Sequence, residues 1–314
     1  MLTTEQAITD FLNHCKYEKN LGLKTIKFYT IDLKQFLDYI TEEAYPSTIK
    51  DIDKYPLKGY LRKLSKWKPK TVKRKMSTIK AMFNYLEFED LITINPIRKM
   101  RISIKEPMML PKALNKAEAE QIFKSAYQLI AITPNNKYAY MESIRNAAII
   151  ETLFATGARV SEVANLKVRD LDLKTGTLTI YGKGSKERII HICNLDTLAI
   201  LNKYYSFYSE KINSNAGFMW VNRLNKKLSD QSIRTLVRNL SESAQISKKV
   251  TPHVFRHTFA TLLLENDVDI KYIQSMLGHS SIVTTQIYTH VNKEKQKQLL
   301  KDKHPREEFS SVFD

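Results

Sequence analysis

RDLDLKTGTLTIYGKGSKERIIHIC (169–193) has strand character: short alternating apolar runs separated by the turn signals KTG and GKGSK. It reads as three short antiparallel strands. The long segments on either side repeat their apolar residues at three and four, so the expected fold class is mainly α with a small antiparallel β-sheet (α+β). The second turn carries Lys183 between glycines that permit a tight hairpin and keep bulk away from the ammonium. Most hairpin lysines are merely solvated, and Lys186 and Arg188 are also available there.

Working back toward the N-terminus, 3–20 reads as an amphipathic helix capped by Thr3 or Thr4, with Ala7, Ile8, Phe11 and Leu12 on one face and Gly22 ending it. A second helix is expected over 24–42 from Phe28, Tyr29, Leu33, Phe36, Leu37 and Ile40, and a weaker one over about 49–64. In KPKTVKRKMSTIKAMFNYLEF (68–88) the stripe Val72, Met76, Ile79, Phe83 and Leu86 is a core face. Lys73, Ser77 and Lys80 share another face, either solvated surface or a surface that tracks phosphates. Around 95–115 three prolines and a basic excess break the helical period, which places a boundary between domains 1–106 and 107–314. Beyond it Asn115 opens a helix, TPNNKYAYME (133–142) reads as a loop, and SIRNAAIIETLFATG (143–157) as an apolar helix. Past the strands the pattern is helical again, notably over 229–246 and 253–266.

At 314 residues the chain exceeds one typical core of about 150 residues and suits two domains. A net charge of +17 draws it toward polyanions, with nucleic acid the natural partner. Cys15 and Cys193 lie far apart without ligand spacing, so neither a disulfide framework nor a zinc site is expected. With no signal-peptide pattern and no window near 18 apolar residues, the expectation is a reduced, cytoplasmic, nucleoid-associated protein with no membrane contact.

Four stretches carry chemistry: ATGARVSEVANL (155–166), YGKGSKERIIHI (181–192), TPHVFRHTFATLLL (251–264) and SMLGHSSIVTTQIYTH (275–290). Arg159 and Glu162 taken alone are an ordinary i,i+3 pair, and His253 with Arg256 an ordinary surface pair. Together the two arginines suit the nonbridging oxygens of a phosphoryl-transfer transition state, which two planar guanidiniums hold bidentately. A lysine on such a turn, Lys183 or its neighbour Lys186, can protonate a leaving 5′ oxygen where desolvation and nearby arginines lower its pKa. Tyr288, nine residues after His279, is one of sixteen tyrosines and alone reads as a core or interface aromatic; in the company of two arginines, Lys183 and the histidines, a phenol nucleophile is the competing reading. No HExxH pattern, carboxylate cluster or Walker motif is present, so no metal and no cofactor is expected.

In these residues the chain resembles the tyrosine recombinases, or phage integrase family, most closely the compact Xer-like members. The motifs GARVSE, GKGSKERIIHI, HVFRHTFATLL and LGHSSIVTTQIYTH stand in the family's order and spacing, and the first half looks like its helical core-binding domain. The resemblance implies an N-terminal DNA-binding domain and a C-terminal catalytic domain that clamp duplex DNA. It further implies that Arg159, Arg256 and His279 hold the scissile phosphate and Tyr288 attacks it. Lys183 acts as the acid, His253 assists proton transfer and Glu162 braces the site. Segment 126–145 and the tail beyond HPR (304–306) are longer than in minimal Xer chains.

The implied function is site-specific recombination through a 3′-phosphotyrosyl intermediate and a Holliday junction, in replicon dimer resolution or in movement of a mobile element. The implied assembly is a homotetramer on paired double-stranded sites with short inverted-repeat cores, with or without a second recombinase. HVNKEKQKQLLKDKHPREEFSSVFD (290–314) is either a tail docking on a neighbouring protomer or a frayed end. Lys73, Ser77 and Lys80 are the candidate DNA contacts of the first domain. In the second domain they are Arg234 and Arg238, one turn apart in a candidate major-groove helix. An architectural DNA-binding protein and a type IB topoisomerase are the competing readings. The former needs no phenol beside two arginines; the latter shares the chemistry but needs no paired sites.

Overall fold

The computed structural model describes residues 2–105, 113–182, 187–278 and 293–308. By internal contacts the chain divides into two compact units, Met1–Met109 and Leu110–Asp314.

The first unit is helical. Thr3 caps α1 (Thr4–Asn13) in a reciprocal box with Gln6, and the chain continues through one π-helical turn, His14–Glu18. Gly22 does not end that helix: its backbone is extended, as a helix entry requires and unlike the left-handed glycine of a helix exit, and it is the N-cap of α2 (Leu23–Glu42). The weak helix expected over 49–64 is divided, because Asp53 accepts from the Tyr55 backbone N–H and starts α3 (Lys54–Lys63) afresh after a 3₁₀ turn at Ile49–Asp51. With Pro69 in its first turn, α4 (Pro69–Phe88) buries Val72, Met76, Ile79, Phe83 and Leu86 as the stripe requires. They join Phe11, Leu33 and Phe36 of α1 and α2 in one core, whereas Phe28 stays exposed and stacks beneath the Arg74 guanidinium.

One charged knot fixes α2 against α4. Asp32 is fully buried and accepts from Lys75 at 3.2 Å and Thr78 at 3.1 Å, with Arg74 also paired to it. Lys75 and Thr78 are thereby turned inward, and Lys73, Ser77 and Lys80 remain on the outer face. These three line one groove with Arg98 and Ile102 from the segment after α4.

In the second unit, Asn115 caps α5 (Lys116–Ile132) in a box with Glu118. The expected loop is only Thr133–Asn136: Asn136 accepts from the Ala139 N–H and starts α6 (Lys137–Thr156), so KYAYME is helical. α6 is buried nearly all round from Met141 onward and packs against α5, α8 (Leu195–Ser214) and α10 (Pro252–Glu265), the position of a central core helix. The sheet has the order β1 (Leu171–Asp172), β2 (Thr177–Tyr181), β3 (Glu187–His191), antiparallel throughout, with Leu178 opposite Ile190. The mainly α fold with one small antiparallel sheet thus holds. Short α7 (Val160–Asn165) precedes the sheet; α9 (Asp230–Ser243), α11 (Ile270–Leu277) and α12 (Lys293–Lys303) complete the unit. Among the described residues no helix is long and apolar enough to cross a membrane.

After α12 the chain turns inward at His304–Pro305–Arg306. His304 Nδ1 accepts the Arg306 backbone N–H at 2.9 Å, so its Nε2, 3.1 Å from the Ala155 carbonyl, carries the proton and the ring is neutral. Burial above all, with the Arg306 charge adding to it, lowers this imidazole from 6.5 to about 4. Between those values the unfolded chain binds a proton that the folded one refuses. Stability from this group is therefore complete above the unfolded value and is lost as pH falls toward the folded one. Urea unfolding is expected to show a loss of about 3 kcal/mol between about pH 7 and pH 4 that His304→Asn lacks. Parallel pH profiles for the two proteins would show that the ring is not held neutral.

Candidate active site

The site is built on two left-handed glycine turns. α6 ends at Gly157 with φ 56°, where a Cβ would stand 2.7 Å from Phe259 Cδ1 and 2.8 Å from Leu277 Cδ2, so both conformation and space require glycine. The turn delivers Arg159 as N-cap of α7. Its backbone N–H donates to Glu162 Oε2 at 2.8 Å and its Nη1 to Glu162 Oε1 at 2.8 Å. The i,i+3 pair foreseen from sequence is therefore present, as a variant of the capping box.

A second guanidinium reaches the same carboxylate. Arg188 of β3 donates from Nη2 to Glu162 Oε2 at 2.7 Å and from Nη1 to Oε1 at 3.1 Å. Burial pushes the Glu162 carboxyl up, but the bonds from Arg188 and from the Arg159 backbone more than offset this and hold it below its usual range. Glu162 is thus a fixed anion, suited to bracing arginines rather than to proton transfer.

Arg256 of α10 is buried and donates from Nη1 to the Gly157 carbonyl at 2.8 Å and from Nη2 to the Leu277 carbonyl at 2.6 Å. Burial first, then repulsion from Arg159 and Arg188, lowers it to about 10, which leaves it cationic at neutral pH. The second glycine turn lies where α11 ends, at Gly278 with φ 62°. Three successive carbonyls there each accept from a different arginine: Met276 from Arg188 Nε at 2.7 Å, Leu277 from Arg256, and Gly278 from Arg159 Nη2 at 3.2 Å. Unsatisfied carbonyls at the negative end of a helix are natural partners for cations.

Of the expected catalytic residues the fold gathers Arg159 and Arg256, with the supporting Glu162 beside them. His253 lies in the first turn of α10, one turn before Arg256, but on an exposed face, its ring centroid 6.0 Å from that of His257. Lys183, His279 and Tyr288 lie outside the described residues. Tyr181 and Gly182, next to Lys183, line one groove with Arg159 and Glu162. Arg188 stands out in the sequence only as a substitute for Lys183. The signal for its real place is strand alternation, since it sits two residues before the buried Ile190 and so on the inward side of β3. Of the candidate DNA contacts on α9, Arg234 is half-buried at the flank of the face formed by Ile233, Val237 and Leu240, and Arg238 is exposed; they lie within reach of Asp230 and Glu242 respectively.

A helical unit is followed by one in which two arginines from separate motifs meet at a helix end, and comparisons with known proteins identify the family. The phage integrase family matches residues 112–295, and the phage integrase N-terminal SAM-like domain matches residues 8–90. A tyrosine recombinase of Agathobacter rectalis is 46% identical over 96% of this chain and 97% of that protein. Tyrosine recombinase XerC of Thermodesulfovibrio yellowstonii is 35% identical over 93% and 94%. In fold the chain is similar to the XerH site-specific recombinase in its post-cleavage complex with a palindromic difH substrate, with TM-score 0.68, 24% identity, and coverage of 93% of this chain and 83% of that one. The chain therefore belongs to the phage integrase family, and within it to the Xer-like tyrosine recombinases, enzymes that cleave and rejoin DNA strands.

Proposed function

We propose that this chain exchanges strands between two short duplex sites with inverted-repeat cores, through 3′-phosphotyrosyl intermediates and a Holliday junction. One observation carries the reading: Arg159 and Arg256, far apart in sequence, donate to adjacent carbonyls, Gly278 and Leu277, immediately before His279. Two guanidiniums held this close repel each other, which is part of why Arg256 is lowered. A phosphodiester anion relieves that repulsion, and the relief grows as charge gathers on the nonbridging oxygens.

In this scheme the Tyr288 oxygen attacks phosphorus, the bond to the 5′ oxygen breaks, and a 3′-phosphotyrosyl ester forms. His253 takes up the phenolic proton, Lys183 supplies a proton to the departing 5′ oxygen, and His279 joins the arginines on the phosphate. The ester keeps the energy of the phosphodiester, so a 5′ hydroxyl from another duplex reverses the step. Two duplexes have four strands to exchange, hence a homotetramer, alone or with a second recombinase. Residues 1–106 would grip DNA through Lys73, Ser77 and Lys80, and residues 107–314 would catalyse and read the major groove through Arg234 and Arg238. The work is done in the cytoplasm on the nucleoid, in replicon dimer resolution or in movement of a mobile element.

The test incubates randomised duplexes carrying bridging 5′-phosphorothiolates with the wild type and Tyr288→Phe, then captures and sequences covalently attached DNA under denaturing conditions. The thiol leaving group traps the adduct. Tyr288-dependent adducts enriched for an inverted repeat are expected. Adducts without site enrichment would point to a topoisomerase, and binding with no adduct would overturn a recombinase that acts alone and leave the architectural protein or one silent without its partner.

A further inference from the structure

We infer that Arg188 is a positioning residue for strand cleavage, a three-way tie that holds the phosphate-binding arginine, the acid-bearing hairpin and the helix end preceding His279 in one geometry. The inference rests on the recombinase reading above and adds a residue that chemistry at the phosphate does not itself require.

The guanidinium of Arg188 is committed to protein. Its two terminal nitrogens fork onto the Glu162 carboxylate at 2.7 and 3.1 Å, and its Nε donates to the Met276 carbonyl at 2.7 Å. The side chain is 10% exposed. Each contact reaches a different element. Through Glu162 it sets Arg159, which shares the same two oxygens. Through Met276 it caps α11 two residues before Gly278, where the chain leaves for His279. Its own backbone is in β3, opposite Ile180, next to the segment that carries Lys183 in the sequence.

A second feature is independent of these bonds. A Cβ at Gly278 would lie 3.1 Å from both Cδ and Nη1 of Arg188, so the α11 turn is closed directly against this side chain. Only a planar fork with an additional N–H at the right reach makes the two bonds to Glu162 and the one to Met276 together; an ammonium at the end of a lysine stem does not. The arrangement is that of a brace behind a first row of catalytic groups, where small displacements are costly to rate and nearly neutral to binding.

The test compares the full-length wild type with Arg188→Lys and Arg188→Met on the 5′-phosphorothiolate duplexes, under single turnover at saturating and limiting protein. Amide hydrogen exchange is measured on the DNA-free proteins. For Arg188→Met, a fall of about 10²-fold in the saturated cleavage rate with DNA affinity within about twofold is expected, and Arg188→Lys recovers part of the rate. Exchange is expected to quicken at 159–163 and 274–278 in Arg188→Met. If leaving Glu162 half-paired unfolds that variant, Arg188→Met with Glu162→Gln removes the buried charge and is expected to fold yet cleave slowly. Cleavage within about threefold of wild type, with exchange at 274–278 unchanged, overturns the inference. So does a parallel loss of melting temperature, affinity and rate that lysine does not relieve, which would mark Arg188 as a fold residue only. A wild type that forms no adduct defeats the recombinase reading instead, and the exchange data on the DNA-free proteins still decide whether Arg188 ties these elements.

Discussion

Replacing Arg256 by lysine is expected to slow covalent attachment to DNA by about 10²–10³-fold while leaving DNA affinity close to that of the wild type. Two backbone carbonyls, Gly157 and Leu277, fix the plane of the Arg256 guanidinium, each belonging to the C-terminal turn of a different helix. A lysine keeps the charge but has no plane to fix. It satisfies one carbonyl, leaves the other buried without its donor and, in the proposed scheme, would meet the phosphate as a point charge in place of a planar fork. DNA binding, by contrast, is spread over many phosphates and hardly registers one buried cation. Single-turnover adduct formation on the phosphorothiolate duplex, with a gel-shift affinity alongside, separates the two quantities. A variant that reacts within a few-fold of wild type would show that Arg256 serves the fold and not the phosphate.

Much of this is legible in the sequence wherever the determinants are local. The Thr3/Gln6 and Asn115/Glu118 boxes put helix starts where they are found, because an N-cap and its partner three residues on are read in one glance. Gly22 and the 133–142 stretch mislead for a shared physical reason. Asparagine is a leading N-cap residue and glycine, though commoner at helix ends, also starts helices, so the residues that follow must decide. In the site, Arg159, Glu162 and Arg256 stand out because short motifs surround them. Arg188 does not, since its partners Glu162 and Met276 are 26 and 88 residues away and leave no periodic trace. Nor does motif reading reveal that the three arginines share one helix end, which is a property of how α7, α10, α11 and β3 meet.

The largest expected effect on stability lies behind the site, where α6 is anchored by the turn at 304–306. Glu151 is fully buried and accepts from Tyr127 Oη at 2.9 Å, Thr197 Oγ1 at 2.8 Å and Arg306 Nε at 3.2 Å, with Asp196 3.6 Å from Arg306 Nη2. Burial pushes the Glu151 carboxyl up and works against the Arg306 charge as well, but for the guanidinium the attraction of Glu151, with Asp196 beside it, outweighs burial and holds it up. Arg306→Met is expected to cost about 3–5 kcal/mol, because the carboxylate stays behind in the interior without its cation. Glu151→Gln added to Arg306→Met removes that stranded charge and is expected to return most of the loss, which a simple packing defect would not allow. The consequence reaches the chemistry through α6. Ala155, whose carbonyl faces His304, lies four residues before Arg159, and the Gly157 carbonyl holds Arg256. α12, which begins after the segment carrying His279 and Tyr288, is tethered by this same turn. The single variant should therefore cleave slowly even where it is folded, and the double variant should recover stability more fully than rate. Urea unfolding and single-turnover cleavage on the three proteins measure both. Equal recovery of the two would separate the anchor from the active site.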